Sequence, residues 1–221
     1  MSLDPTISLD TNIDEGYVEI TVHQGTTQPD SYEVQYSYDL GQTWGYVRFA
    51  ENLGYDSQQT IIRDYESLSN RTTLYRAKAI EGINESNWSP VMGAVLQVDQ
   101  WWLKDPYNSN NSMKFAAAGD SFDITESEDS AEFNPLGRKH LIIVSDVMRG
   151  ERLDNIRLTT LGWAEYEKFK YLRRAQRVLL LQAPFRKQWY VRLGKQLDEK
   201  VISTTDEYRE LSISAIEQQR P

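Results

Sequence analysis

The chain has 221 residues, more than the roughly 100–150 of a common single domain, with 39% apolar residues, no cysteine, two histidines and a net charge of −9. Without cysteine there are no disulfides or thiolate metal sites, and two histidines leave little for an imidazole metal site or a catalytic triad. Six Trp, 13 Tyr and 6 Phe argue against a chain disordered throughout, because such chains lack large apolar side chains.

The charge is unevenly placed. Residues 1–100 carry 5 Lys+Arg against 15 Asp+Glu, which leaves 19 against 18 for residues 101–221. The step predicts two domains, 1–99 and 100–221, and the acidity of the first sets it against nucleic acid and anionic membranes. Met1-Ser2-Leu3-Asp4-Pro5 lacks the basic and apolar regions of a signal peptide, and no apolar run nears the about 20 residues of a membrane helix. Synthesis and folding in the cytosol are expected, with no membrane partner. The glycosylation patterns at Asn70, Asn84 and Asn87 then carry no weight.

The first hundred residues alternate with period two in short runs, the pattern of half-buried strands. Predicted strands are Ile7 to Asp10, Tyr17 to His23, Tyr32 to Tyr36, Tyr46 to Ala50, Gln59 to Ile62, Thr73 to Ile80 and Val91 to Val98. In the second, Val18, Ile20 and Val22 share one face, and Glu19, Thr21 and His23 the other. Gly25 through Asp30, Asp39-Leu40-Gly41, Glu51 through Asp56 and Glu81-Gly82 supply turns. About seven strands at this spacing predict an immunoglobulin-like β-sandwich.

Tyr75-Arg76-Ala77-Lys78-Ala79, the turn Glu81-Gly82 and Ser86-Asn87-Trp88-Ser89-Pro90 sharpen this: Thr6 to Val98 resembles a fibronectin type III module. The resemblance implies a tyrosine corner, in which the Tyr75 hydroxyl bonds back to backbone near Leu68. Leu68 stands seven residues before Tyr75, one more than the common spacing. The family's early-strand tryptophan is missing, its volume left to Trp88 or Trp44. Ser37-Tyr38-Asp39-Leu40-Gly41-Gln42-Thr43-Trp44 matches the Asp-box of sialidase propellers. One copy without a propeller repeat is read as a hairpin device: Asp39 and Ser37 bond turn amides, Gly41 takes positive φ and Trp44 folds over the loop.

The second half opens with Trp101-Trp102-Leu103-Lys104-Asp105-Pro106, whose tryptophans are expected to anchor in a core or between domains. Asn108 through Ser112 is loop by composition, and the acidic stretch Asp120, Asp123, Glu126, Glu128 and Asp129, around Phe122 and Ile124, is read as a solvated loop. Strands are expected at His140 to Val144, Asn155 to Leu161, Val178 to Leu181, Gln188 to Leu193 (ending at Gly194) and Tyr208 to Ile216, the last with Leu211, Ile213 and Ala215 on one side. A helix is expected over 163–177, with Gly162 as N-cap and Tyr166, Phe169 and Leu172 on one arc. The fold class expected is mainly β: the fibronectin type III-like sandwich, then a β-sandwich or barrel with one helix.

Three blocks carry a second resemblance: Trp101 to Pro106; Phe133-Asn134-Pro135-Leu136-Gly137-Arg138 leading into Val144-Ser145-Asp146; and Leu179 to Phe185 followed by Gln188 to Gly194. In this order they resemble the C-terminal domain of minor tail proteins from phages of actinobacteria, which often carry fibronectin-like modules upstream. Tyr107 to Glu132 and the segment after Leu197 match sparsely. The layout is also similar, by fold analogy, to tail-tube and distal-tail domains that assemble as rings. The resemblance implies a structural component of the virion, made in the host cytoplasm, whose partners are other tail proteins and copies of itself.

Other chemistry finds less in the residues. No carboxylate pair stands out for glycoside hydrolysis, and neither His23 nor His140 has a serine elbow nearby. The acidic stretch lacks the glycine and closing glutamate of an EF-hand. No catalytic, cofactor or metal residue is therefore assigned. Lys168, Lys170, Arg173, Arg174, Arg177, Arg186, Lys187, Arg192 and Lys195 suggest DNA, but Glu165 and Glu167 share the helix, and salt-bridging is the simpler account; direct nucleic-acid binding is not expected. The alternative function is a carbohydrate-binding adhesin, with Trp44, Trp88, Trp101 or Trp102 stacking on host-wall glycan.

Overall fold

The computed structural model describes residues 2–115, 117–118, 123–133, 142–160, 162–202 and 208–221. Asp120, Phe122, His140 and Asn134 to Arg138 lie outside them, as do the side chains of Glu126, Glu128, Asp129 and Lys195. The protein is mainly β, with one α-helix among the described residues. It folds into two compact units: Met1–Ser112 with Gln182–Gln188, and Met113–Leu181 with Trp189–Pro221.

The first unit holds β1 (Thr6–Asn12), β2 (Tyr17–His23), β3 (Ser31–Ser37), β4 (Gly45–Tyr46), β5 (Leu53–Gly54), β6 (Gln59–Asp64), β7 (Thr72–Glu81), β8 (Asn84–Glu85), β9 (Met92–Val95) and β10 (Trp102–Lys104). One sheet runs β1-β2-β6; the other runs β4-β3-β7-β8, with β5 on β3 and β9 on β7. All these pairings are antiparallel. This division of strands between two sheets is that of a fibronectin type III module. The alternation in β2 is real: Val18, Ile20 and Val22 are fully buried and join Tyr32, Val34, Tyr75, Ala77 and Ala79 in the core. Each of the Val and Ile side chains contributes about 1.5–3 kcal/mol on burial.

One strand is shorter than the sequence suggests. Instead of Tyr46 to Ala50, only Gly45–Tyr46 is strand. The Val47 amide donates to the Val34 carbonyl (3.0 Å), and the Val34 amide to that of Ala50 (2.9 Å). Both contacts use one residue of β3, so Arg48 and Phe49 loop outward. Phe49 takes φ 64°, a left-handed conformation that costs a side-chain-bearing residue about 1–2 kcal/mol, and its ring is exposed.

The second unit holds β11 (Met113–Lys114), β12 (Ala117–Ala118), β13 (Asp123–Phe133), β14 (Ile142–Thr160), α1 (Trp163–Arg174), β15 (Leu179–Gln182), β16 (Gln188–Val201) and β17 (Arg209–Glu217). Its sheet runs β15-β16-β17-β14-β12, and β13 also pairs with β14. Three expectations are corrected. Asp123 to Asp129 is strand, not loop, because β14 pairs with it. The two strands expected at 140–144 and 155–161 are one strand of 19 residues. A register break between Leu153 and Ile156 against β17, with Asn155 at φ 58°, hides its continuity as a β-bulge does. Likewise β16 passes Gly194 through a register shift between Leu193 and Leu197.

The helix begins at Trp163 after Gly162, as its pattern predicts, and ends at Arg174, three residues early, with Gln176 at φ 52°. Tyr166, Phe169 and Leu172 are its buried residues, and Leu211, Ile213 and Ala215 are the buried face of β17. Phe169 meets Phe115 edge-on at 6.3 Å, both fully buried. Phe169→Ala is expected to destabilise the protein by about 3–5 kcal/mol, measured by urea unfolding monitored in the near-UV.

Candidate functional site

The Asp-box forms the hairpin device its residues predict. The Ser37 hydroxyl donates to Asp39 Oδ1 (2.7 Å) and accepts from the Gly41 amide (2.9 Å). Asp39 accepts from the Thr43 amide (2.9 Å) and hydroxyl (2.6 Å), and the Trp44 indole donates to the Gly41 carbonyl (3.0 Å). Gly41 has φ 88°, where a side chain would be strained. Hydrogen bonds from the Thr43 hydroxyl and amide and from Ser37 hold the Asp39 carboxyl down at about 2. This carboxylate is fully engaged in closing its own loop.

Next to the hairpin, Arg76 lies between two indoles, 4.1 Å from the Trp44 ring centre and 4.2 Å from that of Trp88. Its Nε and Nη2 both donate to Gln35 Oε1 (3.0 and 2.7 Å), and Lys78, paired with Glu33 and Glu85, stands 5.1 Å from Trp88. Arg76 thus covers one face of each half-buried tryptophan. Neither indole joins the buried core of the first unit; Trp102 does. Trp101 and Trp102 are both buried, and Trp101 packs edge-on against Phe185 at 5.5 Å.

The densest chemistry is one the sequence did not single out. Lys104 is 1% exposed, and its ammonium donates to the carbonyls of Gly16 (2.5 Å) and Tyr65 (2.9 Å) and lies 5.3 Å from the Trp102 ring. Gly16, at φ 70°, leaves room for it: an added Cβ would stand 3.1 Å from the amine and 3.2 Å from the Trp102 ring. The buried Asp64 accepts from the Tyr75 hydroxyl (2.8 Å) and the Glu66 amide (2.9 Å), and Glu66 pairs with Arg48 at 2.8 Å. The expected tyrosine corner is corrected here: the Tyr75 hydroxyl goes to a carboxylate eleven residues back, not to backbone near Leu68. Burial pushes Asp64 up to about 6, helped by Glu66, and pushes Lys104 down to about 7 against the pull of Asp64 and Glu66. The only sequence signal for this cluster was the charge of Lys104 directly after the apolar run Trp101-Trp102-Leu103.

The segment 182–188 completes the same end of this unit. Gln182 Nε2 donates to the Ser67 carbonyl (2.6 Å), Gln188 Nε2 to that of Glu66 (3.0 Å), the Ser69 hydroxyl to that of Ala183, and Asn70 Nδ2 to those of Val98 and Pro184 (2.6 Å each). Arg48, Asp64 and Glu66 also line a cavity of about 480 Å³, with Phe49, Ile61, Arg63 and Tyr107.

Of the residues weighed for DNA, Arg186 and Lys187 belong to the first unit and the helical ones to the second. Lys170 pairs with Glu167 (2.6 Å) and stands 4.8 Å from the Tyr166 ring. Tyr166 donates to Glu199 (2.5 Å), which also pairs with Arg209. His23 Nε2 lies 2.8 Å from the Ser8 hydroxyl at an exposed position; among the described residues no carboxylate is hydrogen-bonded to that ring. Also among the described residues, no three His, Cys, Asp or Glu side chains are grouped to hold a metal, and no helix is long and apolar enough to cross a membrane.

No protein-family model matches the chain, and no curated protein matches it. Similar solved structures include the chicken CNTN1 FN1–FN3 domains, 12% identical over 72% of this chain and 62% of that one, with a TM-score of 0.32. Titin kinase with its flanking domains is 9% identical over 98% of this chain and 37% of that one, also at 0.32. The chain spans less than two thirds of either structure.

Asp64 is harder to ionise folded than at its ordinary 3.8, so its contribution to stability is present below 3.8 and lost as pH rises through about 6. Lys104 holds its proton less tightly than at its ordinary 10.5, so its contribution is present above 10.5 and lost as pH falls through about 7. Together they put the pair's least favourable range between those two folded values. Urea unfolding across the pH range should show this dip in the native protein and a shallower one in Asp64→Asn/Lys104→Met. For the hairpin, an NMR titration should place Asp39 near 2, and Thr43→Val should move it back towards 3.8.

Proposed function

We propose that this chain is a structural subunit of a bacteriophage tail or tail tip, without catalytic activity, that acts by fitting against copies of itself in a ring and against other tail proteins. Its place is then the virion, after synthesis in the host cytoplasm. Three sequence blocks in order, behind a fibronectin type III-like module, support the tail assignment. The observation that carries assembly is the ribbon of β13 and the first part of β14. β17 pairs with β14 only over Arg152–Thr160. Ile142 to Gly150 therefore pairs with β13 alone among the described residues. A two-stranded ribbon is marginal by itself, and its open edges are met when a neighbouring subunit pairs with them.

The polar groups that might have suggested chemistry are engaged inside their units: Asp39 in its hairpin, Lys104 on two carbonyls, Arg76 between indoles. Glycan binding gains no support from Trp101 and Trp102, which are buried, or from Trp44 and Trp88, which stack on Arg76. Direct nucleic-acid binding and membrane contact form no part of the reading.

Sedimentation of the purified chain tests it. A closed oligomer whose population grows with concentration is expected, reduced to monomer by Ala131→Pro in β13, together with tail labelling of virions by an antibody against the chain. A strict monomer at every concentration, absent from virions, overturns it, as does turnover of a polysaccharide or nucleotide that a single carboxylate substitution abolishes.

A further inference from the structure

Residues 1–100 hold five bases. Arg48 pairs with Glu66, Arg63 with Glu19, and Lys78 with Glu33 and Glu85, while Arg71 is exposed. Arg76 differs from all four. It is half-buried and, among the described residues, no carboxylate pairs with it. Burial loosens its hold on its proton, against the pull of Tyr46.

Its surroundings leave the guanidinium a single approach. Its carbon lies 4.1 Å from the Trp44 ring centre and 4.2 Å from that of Trp88, so an indole covers each flat side. Gln35 Oε1 takes the hydrogens of Nε and Nη2 on one edge (3.0 and 2.7 Å). The remaining edge, made by Nη1 and the second Nη2 hydrogen, meets no acceptor among the described residues, and Nη1 is not sealed from solvent. The clamp is fixed from behind. Gln35 faces Arg76 across β3 and β7 and is buried. Trp44 is tied through its indole N–H to the Gly41 carbonyl (3.0 Å), and Trp88 precedes Ser89, whose hydroxyl accepts from the Ala77 amide (3.0 Å).

Two parallel N–H groups on an arginine edge match two oxygens carried by one carbon or phosphorus. Charge chooses between these. One cation without a counter-ion matches a single negative charge, and Glu33 and Glu85, on the Lys78 beside Trp88, repel the second charge of a phosphate. Shape chooses the bearer. With a ring on each flat side, the oxygens must arrive in the guanidinium plane on a slender stem, which the methylenes of aspartate or glutamate supply. An acidic sugar carries its ring on the very next carbon, against the indole rims. We propose that Arg76, clamped by Trp44, Trp88 and Gln35, is a receptor for one aspartate or glutamate side chain of an acidic peptide segment. Nη1 and Nη2 donate to its two oxygens, and the fixed clamp keeps the ordering cost of binding small. The site lies on the first unit and does not depend on the ribbon or on ring assembly.

An NMR titration of the full chain with N-acetylglutamic acid α-methylamide, which offers a lone side-chain carboxylate, tests this. The Arg76 Nε–H signal and the Trp44 and Trp88 indole signals should move together and saturate, while the glutamine counterpart leaves them in place. Arg76→Lys keeps a cation between the rings but not the fork, so the backbone amide spectrum should persist while affinity falls by about tenfold or more. Gln35→Glu supplies a counter-ion from within and should weaken the probe as well. No saturable shift, an equal response to the glutamine probe, or equal binding by Arg76→Lys overturns the proposal. So does inorganic phosphate or glucuronate that binds as tightly as the glutamate probe, the first removing the argument from charge and the second the argument from the stem.

Discussion

An ammonium group withdrawn from water needs acceptors in place of those it leaves; Lys104 has the carbonyls of Gly16 and Tyr65, and burial still loosens its hold on the proton. These carbonyls belong to the loops that follow β1 and β6. Much of this end of the first unit is arranged around that requirement. Gly16 is bare so that the amine and Trp102 ring can approach; Asp64 and Glu66 supply the negative field; Tyr75 and Arg48 then satisfy those carboxylates in turn. Replacing one member by an apolar residue would strand its partner, whereas a matched pair of replacements need not.

The same economy recurs across the molecule. Asp39 closes its own hairpin, Arg76 is stacked between Trp44 and Trp88, and Glu199 is shared by Tyr166 and Arg209. Each of these side chains is held by partners within its own unit. What stays open is one edge of Arg76 and backbone: the outer side of β6, and the stretch of β13 and β14 that no third described strand covers. The first unit also leaves the rings of Phe49 and Tyr107 exposed.

Much of the first unit was legible because each strand buries one face, so that Val18, Ile20 and Val22 announce themselves by spacing alone. β4 was misjudged because the apolar residues Val47 and Ala50 both attach to Val34, leaving Arg48 and Phe49 outside the ladder. β14 was split because its bulge at Asp154 and Asn155 breaks the period that a strand is recognised by. The Asp-box hairpin was readable, since the bonds among Ser37, Asp39, Gly41, Thr43 and Trp44 all close within eight residues. The Lys104 cluster was not. Its acceptors lie 88 and 39 residues away in sequence, and nothing in a one-dimensional pattern pairs an amine with a particular carbonyl.

The first unit is also discontinuous, since Gln182–Gln188 supplies hydrogen bonds to Glu66, Ser67, Ser69 and Asn70. On the ribosome, the N-terminal module therefore emerges with one end unfinished. At roughly 5–20 residues per second, the stretch from Ser112 to Gln182 takes roughly 4–14 s to synthesise. Through that interval water must stand in for the missing donors and acceptors, and the module matures only once translation has passed about two thirds of the second unit.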